Sequence, residues 1–301
     1  VTTPSRSRAI DSVLVVGAGA MGAQIAMVCA LAGLDVSLYD LEDDRLKQAD
    51  EMLRQRVGRM VEKAKINATT HDAAFERLTF TADLRDAAAK ADLVIEAIVE
   101  KLDAKRSLFG ELDRLCPPHT ILTSNSSSFV PSSMASATER PDRFCNMHFF
   151  NPALVMSCVE VVRGQATSDD TMTTVVDLTS RLGKEPVVLS KEINGFVANR
   201  ILNAIRDESI YLLENGYASI ESIDIACRSA LGHPMGPFEL QDLTGLDVGY
   251  YIKQGRYDES NDEKDKPSAS LTARVHAGHL GRKTGRGWYR YDRDGHKLAP
   301  T

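Results

Sequence analysis

A chain of 301 residues with 43% hydrophobic and 26% charged residues can bury a sizeable core and has room for two domains. Its net charge of −6 argues against general nucleic-acid binding, and no apolar run is long enough to span a membrane, so neither partner is expected. The five cysteines, Cys29, Cys116, Cys145, Cys158 and Cys227, show no C-x-x-C pair and no Cys/His metal spacing; they read as free thiols in a reducing, cytoplasmic setting, with no metal site.

Val1 to Arg8 lacks the hydrophobic core of a secretory signal; a trimmed end and the remnant of a transit peptide both remain open. Val13 to Val16 then runs straight into Gly17-Ala18-Gly19-Ala20-Met21-Gly22, and a helical pattern follows at Ala23, Ile25, Ala26, Val28 and Cys29. This order predicts a buried strand, a tight turn and a helix N-terminus. Gly17 allows the turn, Gly19 lets backbone approach a pyrophosphate, and Gly22 allows close helix–strand packing. Unpaired N–H groups at the helix start suit phosphates. A second strand, Asp35 to Tyr39, ends at Asp40, where a carboxylate can bond the adenosine ribose and repel a 2′-phosphate. NAD is therefore the expected cofactor.

Leu41 to Ile66 reads as a long charged helix, Leu78 to Phe80 as a short strand, and Leu84 to Ala91 as a helix. Asp92 to Ala97 is a buried-type strand, Lys101 to Leu115 a helix stopped by Cys116-Pro117-Pro118, and Thr120 to Ser124 the next strand. Such alternation predicts a doubly wound parallel sheet of Rossmann type. The rhythm then changes. Phe144–Phe150 and Cys158–Val162 read as two strands joined by a turn at Asn151-Pro152. A helix from about Ser168 to Leu182 and a strand at Val187–Leu189 follow. From Ile193 onward the pattern is helical, with amphipathic stretches at Phe196–Asn215 and Ser219–Leu231. The expectation is an α/β dinucleotide-binding domain over residues 1–190 and an all-α domain over 191–301, with Asp258 to Ser270 as a polar loop. His276 and His279, three apart without a third ligand nearby, read as surface residues.

His148 and Glu160 lie twelve residues apart on the two joined strands. If those strands are neighbours, imidazole and carboxylate can meet. A carboxylate there fixes the ring tautomer and stabilises the imidazolium, which makes His148 a candidate base for a hydroxyl proton.

The chain resembles the NAD-dependent L-3-hydroxyacyl-CoA dehydrogenases of the 3-hydroxybutyryl-CoA type. The matching segments are the glycine turn, Glu96-Ala97-Ile98-Val99-Glu100, Ser124-Asn125-Ser126-Ser127-Ser128, His148-Phe149-Phe150-Asn151-Pro152, Asn194 to Arg200, Pro234 to Leu240 and Lys283 to Tyr289. The resemblance implies His148 as catalytic base paired with Glu160. It implies Ser127 as a bond to the substrate or nicotinamide region, and Asn199 as a contact to the reacting hydroxyl or carbonyl. Gly17, Gly19, Met21, Gly22, Asp40, Glu100, Lys105, Asn125 and Lys283 fall at positions that hold NAD. The helix after Asp40 is where the family meets CoA phosphates, and here it carries Arg54, Arg56, Arg59 and Lys63; Arg59 and Lys63 are the candidate contacts. Family members dimerise through the helical domain, so an acyl-CoA substrate and a homodimer are implied.

Two departures bear on the acyl group. Gly58-Arg59 stands where Ser-Lys is usual, and Met156-Ser157-Cys158 where Met-Lys-Leu is common. Tyr39-Asp40-Leu41-Glu42 and Lys191-Glu192 slightly resemble the branch that oxidises L-gulonate. A free hydroxy acid of gulonate or carnitine type thus stays open as substrate, and so does a non-catalytic NAD-binding protein. The phenylalanine pair after His148 favours the acyl-CoA branch, and the presence of both His148 and Glu160 favours catalysis.

Overall fold

The computed structural model describes residues 9–298, so the segment Val1 to Arg8 lies outside the described residues. The chain divides into two compact units, one ending at Val197 and the other beginning at Ala198.

The first unit is built on eight strands: β1 (Ser12–Val16), β2 (Asp35–Tyr39), β3 (Leu78–Thr81), β4 (Leu93–Glu96), β5 (Ile121–Ser124), β6 (Phe144–Phe149), β7 (Cys158–Arg163) and β8 (Glu185–Leu189). They form one sheet in the order β3-β2-β1-β4-β5-β6-β7-β8. Strands β1 to β6 pair in parallel, β7 runs antiparallel to β6, and β8 runs parallel to β7. The order reverses between β1 and β4, which is the switch point where such sheets open a crevice at their strand ends. Val13 to Val16 and Leu93 to Ile95 are buried on both faces, as expected for strands covered by helices on each side.

The helices of this unit are α1 (Ala20–Leu31), α2 (Asp43–Glu62), α3 (Ala68–Glu76), α4 (Leu84–Ala89), α5 (Leu102–Leu115), α6 (Pro131–Ala135) and α7 (Asp169–Arg181). Helix α1 is apolar on nearly all sides and buried from Gly22 to Ala30. Helix α2 buries only Leu46, Ala49, Leu53 and Val57, one stripe at helical spacing. Helix α5 buries Lys105, Phe109 and Leu112 on a single face, so a lysine occupies a core-facing position. Helices α3 and α6 have no counterpart in the sequence reading. Helix α3 buries only Ala74 and owes its start to Asn67, whose side chain accepts the Thr70 N–H.

The second unit holds α8 (Ala198–Glu214), α9 (Ile220–Ser229), α10 (Pro237–Thr244), α11 (Leu246–Ser260) and α12 (Ala269–His276), followed by an irregular segment with isolated bridges. Its core joins Ile210, Ile223, Phe238, Leu246 and Leu271 to Trp288, Tyr289 and Tyr291. Two buried aspartates fasten that last segment. Asp224 accepts the Tyr289 hydroxyl at 2.7 Å and the Phe238 N–H at 2.9 Å. Asp242 accepts the Trp288 and Tyr289 N–H groups and the Tyr291 hydroxyl at 2.8–2.9 Å.

All five cysteines are free, and Cys29, Cys116 and Cys145 are buried. Burial pushes the thiols of Cys29 and Cys145 up to about 12. No helix among the described residues is long and apolar enough to cross a membrane.

Candidate active site

The glycine turn joins β1 to α1. Gly17 has a φ of +105°, and a Cβ there would lie 2.7 Å from the Ala97 carbonyl oxygen. A Cβ on Gly22 would lie 1.8 Å from the Gly17 carbonyl oxygen, so helix and turn touch backbone to backbone. A Cβ on Gly19 would meet nothing within 4 Å; that position opens outward. Helix α1 has no side-chain cap and no acidic residue in its first turn. Its leading N–H groups and partial positive charge are left for an anion.

Asp40, at the end of β2, accepts the Ala18 N–H through Oδ2 at 2.8 Å and the Glu42 N–H through Oδ1 at 3.2 Å. A carboxylate oxygen has two acceptor sites, so both oxygens keep capacity for ribose hydroxyls while bracing the turn. An open cradle, an uncapped helix start and a placed carboxylate fit NAD.

The cross-strand pairing of β6 and β7 sets His148 directly opposite Glu160. Their side chains meet with His148 Nδ1 at 2.8 Å from Glu160 Oε2. Both groups are buried, at 6% and 0% exposure. The other oxygen, Oε1, accepts the Val197 N–H at 2.9 Å, so the carboxylate is held from two sides. A carboxylate only accepts, so Nδ1 carries the proton and Nε2 is left as the basic nitrogen. Phe150 packs on the imidazole at 4.6 Å between ring centroids and Phe196 at 5.5 Å. Phe196 is fully buried with φ +48°, a conformation that costs a non-glycine residue energy. Glycine before it at 195 was the local signal for such a turn; the sequence reading did not single out Phe196.

Asn125 joins the histidine strand to its neighbour, accepting the Phe149 N–H at 2.8 Å. The rest of the serine loop is pinned from beneath. Glu96, the last residue of β4, accepts the Lys105 ammonium at 2.6 Å, the Ile98 N–H at 2.8 Å and the Ser124 hydroxyl at 2.5 Å. Lys105 also pairs with Glu100 at 3.0 Å. Glu100 in turn accepts the Ser126 hydroxyl and, at 3.2 Å, the Ser128 N–H. Burial opposes ionisation of Glu100, but Ser126 and Lys105 outweigh it and hold the carboxyl below its ordinary value. Lys105 is 1% exposed and pairs with both carboxylates, of which Glu100 reaches the surface. Glu96 was not a candidate in the sequence reading, because its partners come from distant β5 and α5. Ser127 rides on this loop, half-buried and without a hydrogen-bond partner among the described residues.

Arg59 and Lys63 are exposed at the C-terminal end of α2. Arg54 on the same helix is tied to Asp50 at 3.0 Å and lies over the Phe75 ring at 4.6 Å. In the second unit Asn199 sits in the first turn of α8, and Lys283 is gripped by both oxygens of Asp247 at 2.7 Å. His276 lies on the surface, its ring 3.4 Å from the Tyr250 hydroxyl. Asp292, Asp294 and His296 are the one trio among the described residues close enough to share a metal; all three are exposed, and Asp292 is already bonded to the backbone of its own turn.

A phosphate-binding glycine turn at a sheet switch point, with a carboxylate-backed histidine at the strand ends of the same sheet, defines a nicotinamide-dependent dehydrogenase. The chain belongs to the 3-hydroxyacyl-CoA dehydrogenase family: residues 12–193 match its NAD binding domain and residues 195–291 its C-terminal domain. It is 41% identical over 283 residues to the probable 3-hydroxybutyryl-CoA dehydrogenase of Bacillus subtilis, covering 94% of this chain and 98% of that protein. It is 42% identical over 289 residues to the human mitochondrial hydroxyacyl-coenzyme A dehydrogenase, covering 94% and 91%. Among solved structures, (S)-3-hydroxybutyryl-CoA dehydrogenase PaaH1 from Ralstonia eutropha superimposes with a TM-score of 0.89 at 38% identity, covering 95% of this chain and all of that one.

Proposed function

We propose that this chain oxidises an L-3-hydroxyacyl-CoA to the 3-oxoacyl-CoA, with NAD, and that His148 is the base. The 2.8 Å bond between His148 Nδ1 and Glu160 Oε2 carries the reading. It leaves Nε2 to take the hydroxyl proton, while Glu160 holds the ring orientation and stabilises the imidazolium. In the reverse direction the same nitrogen returns the proton to the developing alkoxide. NAD, when bound, supplies the hydride acceptor. Gly17, Gly19, Met21 and Gly22 with the start of α1 would hold its pyrophosphate, and Asp40 its adenosine ribose. Ser127 and Asn125 lie on the loop beside the histidine strand and are assigned to the substrate and nicotinamide end. For Asn199, Lys283, Arg59 and Lys63 the support is the family motif and, for the last two, exposed cationic chemistry suited to CoA phosphates.

The second unit exposes Leu231, Tyr251 and Ile225 at 67%, 66% and 51%, which supports dimerisation through that unit. Free buried thiols and the bacterial relatives support a cytoplasmic setting.

The test is His148→Gln assayed with acetoacetyl-CoA by NADH absorbance. Turnover falls roughly 10²- to 10⁴-fold while NADH binding is kept; near-normal turnover removes His148 as base. Gulonate and dehydrocarnitine assayed in parallel separate the acyl-CoA from the free hydroxy acid, and tight NADH binding with no turnover on any of the three marks a non-catalytic protein.

A further inference from the structure

We propose that Glu96 is a positioning residue, closing a ring of hydrogen bonds that holds the loop carrying Ser127 in register with the His148 strand. The inference rests on the assignment of Ser127 to the substrate end of the site.

The ring is continuous. Glu96 Oε2 accepts the Ser124 hydroxyl, and Ser124 Oγ accepts the Ser126 N–H at 3.1 Å. The Ser126 hydroxyl donates to Glu100, whose other oxygen takes Lys105 Nζ, and Lys105 returns to Glu96 Oε1. Ser126 Oγ also accepts the Phe129 N–H at 2.9 Å, so the ring grips the loop on both sides of Ser127. Strand register builds its floor. Val16, Glu96, Ser124 and Asn146 lie in one row across β1, β4, β5 and β6. Asn146 Nδ2 donates to the carbonyls of Ser126 and Phe129, at 3.3 and 2.8 Å, and closes the loop from the histidine strand.

Glu96 and Lys105, a carboxylate and an ammonium with almost no solvent access, form an expensive arrangement, with Glu100 at the solvent edge of the ring. An apolar pair would fill the same space, but it could not fix the direction of a serine hydroxyl. Charged donors and acceptors in a closed circuit give each hydroxyl one orientation, and so give the loop one conformation. Displacement of a reacting contact by about 1 Å can cost on the order of 10²-fold in rate. The ring thus acts on turnover through Ser127, without touching substrate.

A double-mutant cycle tests this on the full-length enzyme, with acetoacetyl-CoA and NADH. Glu96→Gln keeps the volume but presents an amide to Ser124, which must turn its hydroxyl. Glu96→Gln and Ser127→Ala are each expected to lower kcat roughly 10- to 100-fold, with the Kd for NADH and the KM for the acyl-CoA little changed. The double variant is expected to fall no further than the worse single one. Multiplying losses overturn the proposal, as does wild-type kcat in either single variant. A Kd for NADH that rises by the factor kcat falls also overturns it, and places the effect of Glu96 on the coenzyme rather than on Ser127. Should Glu96→Gln not fold, Ser124→Ala breaks the same ring and takes its place in the cycle. An active His148→Gln alongside intact coupling would refute the assigned base and leave the ring standing, so the two failures are distinguishable.

Discussion

Gly19 and Gly22 share one turn and answer to opposite constraints. At Gly22 a methyl group would sit 1.8 Å from backbone, so Gly22→Ala must push α1 off β1. The expected loss is about 1–3 kcal/mol or more, read from denaturant unfolding. At Gly19 the Cβ has open space and the backbone φ is −67°, which any residue adopts. Gly19→Ala should therefore keep wild-type stability and lose NADH affinity roughly tenfold or more. Wild-type affinity in that variant would show that no pyrophosphate lies against Gly19. Residue-scale chemistry was legible where local order carried it. His148 and Glu160 were found because two strands and a turn set their spacing. Glu96 was not, since it sits in an apolar strand and its partners arrive from Lys105 and Ser124. Phe196 escaped because its own residue type does not mark a left-handed conformation, and the one local hint is Gly195 before it.

At the scale of elements, the strand–helix alternation up to β5 was legible because each segment carries its own period and its own stop. Helices α3 and α6 were not: α3 buries only Ala74 and rests on the Asn67 cap, while α6, five residues starting on proline, is too short for Pro131, Met134 and Ala135 to show a period. The second unit hides its organising feature in the same way. Asp242, on α10, looks like a surface helix acid, yet Gly287 passes so close that a Cβ there would lie 1.9 Å from its carboxylate. Three donors from Trp288, Tyr289 and Tyr291 converge on it. Asp242→Ala should strand those buried donors and cost about 3 kcal/mol or more. Limited proteolysis should then cut after about residue 280, where the wild type resists. Equal resistance of the variant would mean that apolar packing alone holds the segment.

For the whole molecule, acid behaviour separates groups that composition lumps together. Glu239 binds the Gly236 N–H, Arg228 and Lys297. Burial opposes its ionisation, but these partners outweigh burial and hold the carboxyl down at about 2, against an ordinary 4.5. Its contribution to stability is therefore present above pH 4.5 and lost as pH falls toward 2. Asp92 in the first unit has the same sign: backbone N–H groups of Ser12 and Asp11 lower it despite burial, and its contribution fades below 3.8. Asp224 and Asp242 are raised by burial, so the sign reverses: the folded state binds their protons more tightly than the unfolded chain, and stability falls as pH climbs past 3.8, while the hydrogen bonds they accept remain. None of these signs follows from the net charge of −6, since all depend on which oxygen is buried against which donor. Trp288, the only tryptophan, packs in the core of the second unit and reports its unfolding. Followed by its fluorescence in urea, Glu239→Gln should be less stable than wild type at about pH 7. The gap should close steadily below pH 4.5 and vanish near 2. A gap that stays constant through that range would mean that the Glu239 charge is worth the same folded and unfolded, and that its ion pairs do not hold the second unit together.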